Sequence, residues 1–130
     1  MLQRVVALIV FSTLLIALSP AAAQTGIERE ILLQEDLTIP GYQIVSVAVT
    51  IAVGGREGRH SHPGTLVAHM LEGELTVEFD GRETQVFTAG DSVLIGPGQV
   101  HEGINTGDVP VKTLASFVVE KDKPLTIPAD

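Results

Sequence analysis

From residue 24 onward, apolar side chains recur at every second position and not at the three- and four-residue spacing of an amphipathic helix, so the chain predicts strands. The clearest run covers residues 42–53, rich in β-branched side chains and closed by Gly54-Gly55. Further strands are expected at 66–71, 74–79, 85–88, 92–95 and 113–120. Asp80-Gly81 lies between two of them and is a signal for a tight two-residue hairpin whose central positions take positive φ. Gly73, Gly90, Gly96-Pro97-Gly98, Gly103 and Gly107 punctuate the remainder as turns. Short strands at regular spacing with glycine turns predict an all-β sandwich or closed antiparallel barrel, with no crossover helices and no second domain.

The start of the chain reads differently. Met1-Leu2-Gln3-Arg4 precedes an apolar run over residues 5–18, and Pro20-Ala21-Ala22-Ala23-Gln24 follows at once. A single cation, a short apolar stretch and small residues form the pattern of a secretory signal peptide. The run is shorter than the roughly 20 residues of a membrane-spanning helix. Cleavage is expected after Ala23, giving a mature protein that begins at Gln24, carries no membrane anchor and is exported to a bacterial periplasm. The organisation expected is therefore a signal peptide at 1–23, an N-terminal extension or strand at 24–40, a barrel at 41–122 and a tail at 123–130.

Composition narrows the chemistry. The chain has 8 Lys and Arg against 16 Asp and Glu, and losing Arg4 with the leader makes the balance still more acidic. Nucleic acid is excluded as a partner, because a phosphate backbone is bound through basic patches absent here. There is no cysteine, so disulfides, thiolate metal sites and lipid attachment at a cysteine are excluded as well. A cysteine-free exported domain relies on core packing, alone or with a metal.

Among four histidines, two stand in Arg59-His60-Ser61-His62-Pro63-Gly64. Residues i and i+2 of a strand share a face, so both imidazoles can converge on one ion. His101 closes Gly96-Pro97-Gly98-Gln99-Val100-His101 at the mouth of another strand, where a glycine-proline turn can fix its direction. His60, His62 and His101 are the candidate metal ligands. His69 falls on the other face from Leu66, Ala68 and Met70 and is expected to pack or form an interface, unless a bulge near Pro63-Gly64 shifts the register. Glu57 and Glu102 adjoin these histidines in sequence and are read as solvated charges.

Two stretches resemble the paired motifs of the cupin superfamily. The first is Gly54-x5-His60-x-His62 ending in Leu71-Glu72-Gly73, and the second is Gly90-Asp91-x9-His101-x3-Asn105. In the second, Gly90, Gly98, His101 and Asn105 fall in place, while Gly96 holds the usual proline position and Pro97 follows it. The resemblance implies a conical antiparallel, jelly-roll-like β-barrel, dimeric, with a divalent metal near its wider mouth. One departure concerns the ligands: the glutamate usual in the first motif, counted back from Gly73, lands on Leu66. Thr65 is adjacent but on the wrong parity. Three neutral imidazoles then leave a coordination face open, as in catalytic and not closed structural sites.

Three readings follow. The site is that of a metal-dependent dioxygenase, lyase or isomerase acting on a small anionic or enolic compound, with Fe, Mn, Ni or Zn as cofactor. Alternatively it is a non-catalytic module that captures a metal or small molecule, or a bare scaffold with vestigial histidines. Apolar inward positions, Leu66, Ala68, Met70, Val93 and Ile95, suit a small and partly apolar ligand. A homodimer is expected, since the long apolar strands leave outward hydrophobic surface to cover.

Overall fold

The computed structural model describes residues 25–130, and the expected leader, 1–23, lies outside the described residues. The alternating stretch becomes β2 (Tyr42–Arg56), in which Val45, Val47, Val49 and Ile51 are buried while the residues between them face outward. Its partner ahead in sequence is β1 (Thr25–Asp36), followed after β2 by β3 (His60–Ser61), β4 (Thr65–Glu72) and β5 (Glu74–Phe79). The later strands are β6 (Gln85–Thr88), β7 (Ser92–Ile95), β8 (His101–Asn105), β9 (Val111–Glu120) and β10 (Ile127–Pro128).

All the strand ladders are antiparallel. One group runs β1-β2-β9-β4-β7 and the other β10-β3-β8-β5-β6. The long β2 joins them where Arg56 pairs with Ile104 of β8. The result is a nearly closed antiparallel barrel, whose interior is filled by Val45, Val47, Val49, Ile51, Met70 and Phe117 with their neighbours. Closing the sheet removes the inward apolar face of β2, β4, β5 and β9 from water, and burial of that face is what stabilises a cysteine-free domain.

The expected strands are present, several with longer bounds. β2 continues past Gly54-Gly55 to Arg56, because beyond a register irregularity Arg56 pairs with Thr25 of β1 and with Ile104 of β8. The bulge in β4 lies between Met70 and Glu72, beyond the histidine, so the parity of Leu66, Ala68 and Met70 is as the alternation predicts. The tight two-residue hairpin at Asp80-Gly81 is not formed: β5 pairs with β6 only up to Val77↔Gln85, leaving a wider connection. Gly81 does take positive φ (70°), but Asp80 does not. Asp80 is held elsewhere, its N–H donating to Val100 O at 3.0 Å and its carboxylate accepting both Arg59 Nη1 (2.6 Å) and Nη2 (2.8 Å).

Candidate metal centre

β3 is only two residues long, yet it sets the site, because His60 pairs directly with His101 across the β3–β8 ladder. His62, two residues on, projects to the same side. The turn preceding His101 is tied to the same segment, since Gly98 N–H donates to His62 O at 2.9 Å. The three imidazoles are 5%, 3% and 3% exposed for His60, His62 and His101. Their ring centroids are 4.3 to 5.0 Å apart, and one donor nitrogen from each lies within 4.8 Å of the other two.

Each ring is oriented through Nδ1. His60 Nδ1 lies 2.7 Å from Gly58 O, His101 Nδ1 lies 2.9 Å from Gln99 O, and His62 Nδ1 lies 2.7 Å from Leu125 O. A carbonyl only accepts, so every Nδ1 carries the proton and donates, which leaves Nε2 of each ring with its lone pair. His62 Nε2 is buried without a hydrogen-bond partner among the described residues. Buried polar atoms are nearly always satisfied, and an orphan lone pair beside two other imidazoles is what a bound cation would satisfy.

Burial keeps two of these rings, His62 and His101, neutral. His62 is lowered to about 4, chiefly by burial and further by His60 and His101. His101 is also lowered to about 4 by burial, with His60 adding to the effect. Ligating imidazoles must be unprotonated, so the fold supplies the required state well below neutral pH.

The triad opens into a cavity of about 130 Å³ whose walls are mainly apolar, including Val47, Val49, Leu66, Ile95 and Phe117. Leu66, at the position where the motif usually has glutamate, is 6% exposed and faces this space. Among the described residues the cluster contains the three histidines and no carboxylate. His69 stands apart on the outer face, sharing a 2.8 Å hydrogen bond with the Ser92 hydroxyl. Asn105 secures the second motif mechanically: Nδ2 donates to Ile51 O (3.0 Å) and Val109 O (2.8 Å), and Oδ1 accepts Gly107 N–H (3.0 Å).

Two acidic residues differ from the sequence expectation. Glu102 is buried, not solvated, and accepts a 2.8 Å hydrogen bond from Arg56 Nε, which holds its carboxyl below the usual range despite burial. Glu57 lines the cavity, and burial pushes its carboxyl up, against the opposing influence of His60 and Arg29. Arg29, from β1, also reaches the cavity. Sequence pattern gave no sign of either, because both depend on how the β2–β3 loop and β1 fold over the mouth. The sequence leaves the tail at 123–130 as either a packed extension or a loose end. It is packed, with β10 paired to β3 and Leu125 and Thr126 in the cavity wall.

Comparison with known proteins agrees with this geometry. The family model for the cupin domain matches residues 47–117. No curated protein matches the chain. Among solved structures, a conserved Klebsiella pneumoniae protein with a double-stranded β-helix domain is 23% identical over 83% of this chain and 88% of its own, with a TM-score of 0.66. A cupin-like protein from Thermotoga maritima is 19% identical, covering 79% of this chain and 75% of its own (TM-score 0.66). A cupin superfamily protein from Desulfitobacterium hafniense is 17% identical, covering 77% and 84% (TM-score 0.62).

Proposed function

The chain belongs to the cupin family, and from its histidine triad we propose that it binds one divalent metal through His60, His62 and His101 and acts on a small anionic or enolic compound at the open metal face. The observation that carries this reading is the three donated Nδ1 protons, which leave Nε2 free on three buried rings whose donor atoms lie within 4.8 Å of one another. Fe, Mn, Ni or Zn held there supplies Lewis acidity or oxygen activation. The chain's own residues hold His62 and His101 neutral, keep the donor set free of carboxylate, and surround it with mainly apolar walls, conditions under which electrostatic attraction to an anionic ligand is strong. The small cavity restricts the ligand to a few heavy atoms.

Export belongs to the same proposal, on the strength of residues 1–23, and is checked by N-terminal sequencing that should begin at Gln24. The metal reading is tested by titrating chelator-treated protein with Co(II). One equivalent should bind, and His60→Ala, His62→Ala and His101→Ala should each weaken binding more than about tenfold, with His69→Ala unaffected. Turnover screening of the loaded protein, by oxygen uptake and product formation from small hydroxy and keto acids, separates an enzyme from a module that only captures its ligand.

A further inference from the structure

Glu57 occupies the cavity at a cost that metal ligation does not explain. It lies in the loop between β2 and β3 and lines the same cavity as the three histidines, yet it is not part of their cluster. A carboxylate in a mainly apolar wall loses part of its hydration and must be compensated. The compensation here is built by Gly103 of β8. Glu57 N–H donates to Gly103 O at 2.9 Å, and Gly103 N–H donates back to the Glu57 carboxylate.

Gly103 leaves the space in which the Glu57 carboxylate lies. Its φ is not positive, so the backbone conformation would suit other residues. A Cβ on Gly103, however, would stand 2.5 Å from Glu57 Oε2 and 3.1 Å from its Cδ. Gly103 is buried and only two residues beyond His101. The missing side chain thus forms a cradle that seats a carboxylate against the strand carrying a proposed ligand.

The geometry points to Glu57 as the residue that selects the ligand, accepting a hydrogen bond from a hydroxyl next to the oxygen that occupies the open metal face. The class it favours is a small 2-hydroxy acid or an enol. This deepens the proposed reading of the triad and rests on it. Against the effect of burial, Arg29 and the Gly103 N–H favour the ionised form of Glu57, and an ionised carboxylate is an acceptor only. A ligand with an adjacent O–H satisfies it, whereas a plain carboxylic acid anion of the same size presents no donor and leaves a desolvated acceptor unpaired. Arg29 at the same cavity offsets the negative charge that Glu57 and an anionic ligand bring together.

The test compares lactate with propionate, which differ by one hydroxyl, by calorimetric titration into the Zn(II)-loaded full chain. Wild type should prefer lactate by about tenfold or more. Glu57→Leu, which removes both oxygens, and Gly103→Ala, which displaces them, should abolish that preference while Zn(II) affinity stays within about threefold of wild type. Should Gly103→Ala fail to fold, Glu57→Leu decides alone. Zn(II) binding with no hydroxyl preference in wild type, or a preference that survives in Glu57→Leu, overturns this assignment only. No Zn(II) binding by wild type overturns the metal reading and this assignment with it.

Discussion

The carbonyl oxygen of Leu125 accepts the Nδ1 proton of His62 at 2.7 Å, across 63 positions of sequence. His60 and His101 are oriented by carbonyls two residues before them, so their direction is a property of their own strands. His62 alone depends on a distant segment. That segment is fastened by β10 pairing with β3, by Ala129 N–H on Arg59 O (3.0 Å) and by Arg59 Nε on Asp130 O (3.1 Å).

Deleting residues 124–130 removes the carbonyl that orients His62 and the strand paired with His60 and Ser61, so it should loosen those two imidazoles while His101, oriented by Gln99 O, keeps its place. Metal affinity is expected to fall by about 10- to 100-fold, the usual effect of losing an outer-shell orienting partner. Co(II) titration with circular dichroism as a fold control measures it. Unchanged affinity in a folded truncation would show that Leu125 does not orient the ligand.

Stability of the metal-free protein should depend on pH in a defined window. His62 and His101 have folded-state values lowered to about 4 from 6.5, so the unfolded chain binds more protons between those limits. Their stabilising contribution is complete above about pH 6.5 and is lost as pH falls toward 4, on the order of 3 kcal/mol for each histidine. Glu57, with a raised value, acts in the opposite sense, its contribution being lost as pH rises. Asp80 and Glu102 have lowered values and act at more acid pH. Urea midpoints across pH 7.5 to 4 should decline, and the decline should be shallower in His62→Ala. Equal slopes in the two proteins would contradict the assignment.

The parity of β4 shows how far alternation alone reaches. Leu66, Ala68 and Met70 turn inward and His69 outward because a strand inverts its side chains at each step, and that is readable from the sequence. The three histidines were legible for the same reason, helped by the resemblance of their motifs. Glu57, Glu102 and the tail were not. Glu102 is neutralised by Arg56, 46 positions away, and Glu57 is seated by a glycine on another strand. Such partners are fixed by barrel closure, which no local pattern encodes. The Asp80-Gly81 turn misled for a related reason, since Arg59 and Val100 hold Asp80 from outside its hairpin.

Leu66→Glu places a carboxylate at the vacant motif position, against Phe117 and Ile95 on the neighbouring strands. Without metal the variant should be less stable than wild type by about 2–4 kcal/mol, from lost packing and a buried charge. With metal its stability should recover and its metal affinity should rise, because a charged oxygen joins the donor set. Thermal melts with and without Zn(II) check this. Equal destabilisation in both conditions would place Leu66 away from the ion.

We propose a homodimer formed through the outer face of the β1-β2-β9-β4-β7 sheet. Register brings Leu33, Ser46, Ser116, Val67 and Leu94 into one row across the five strands. The centre of the row is small, with the two serine hydroxyls 3.0 Å apart, while Leu33, Val67 and Leu94 stay 44%, 43% and 63% exposed. A flat apolar face of this kind suits a second copy packed against it. Sedimentation should give a dimer for wild type at micromolar concentration and a monomer for Leu94→Lys. A monomeric wild type would refute the interface.

The three-histidine centre itself is tested most directly by long-range proton–nitrogen NMR of the imidazoles, before and after one equivalent of Zn(II). In the metal-free protein His60, His62 and His101 should each show the neutral tautomer with the proton on Nδ1. On adding Zn(II), the Nε2 resonances of these three should shift together at one equivalent, with those of His69 unmoved. A proton found on Nε2 of any of the three, or a Zn(II) response confined to His69, would contradict the account.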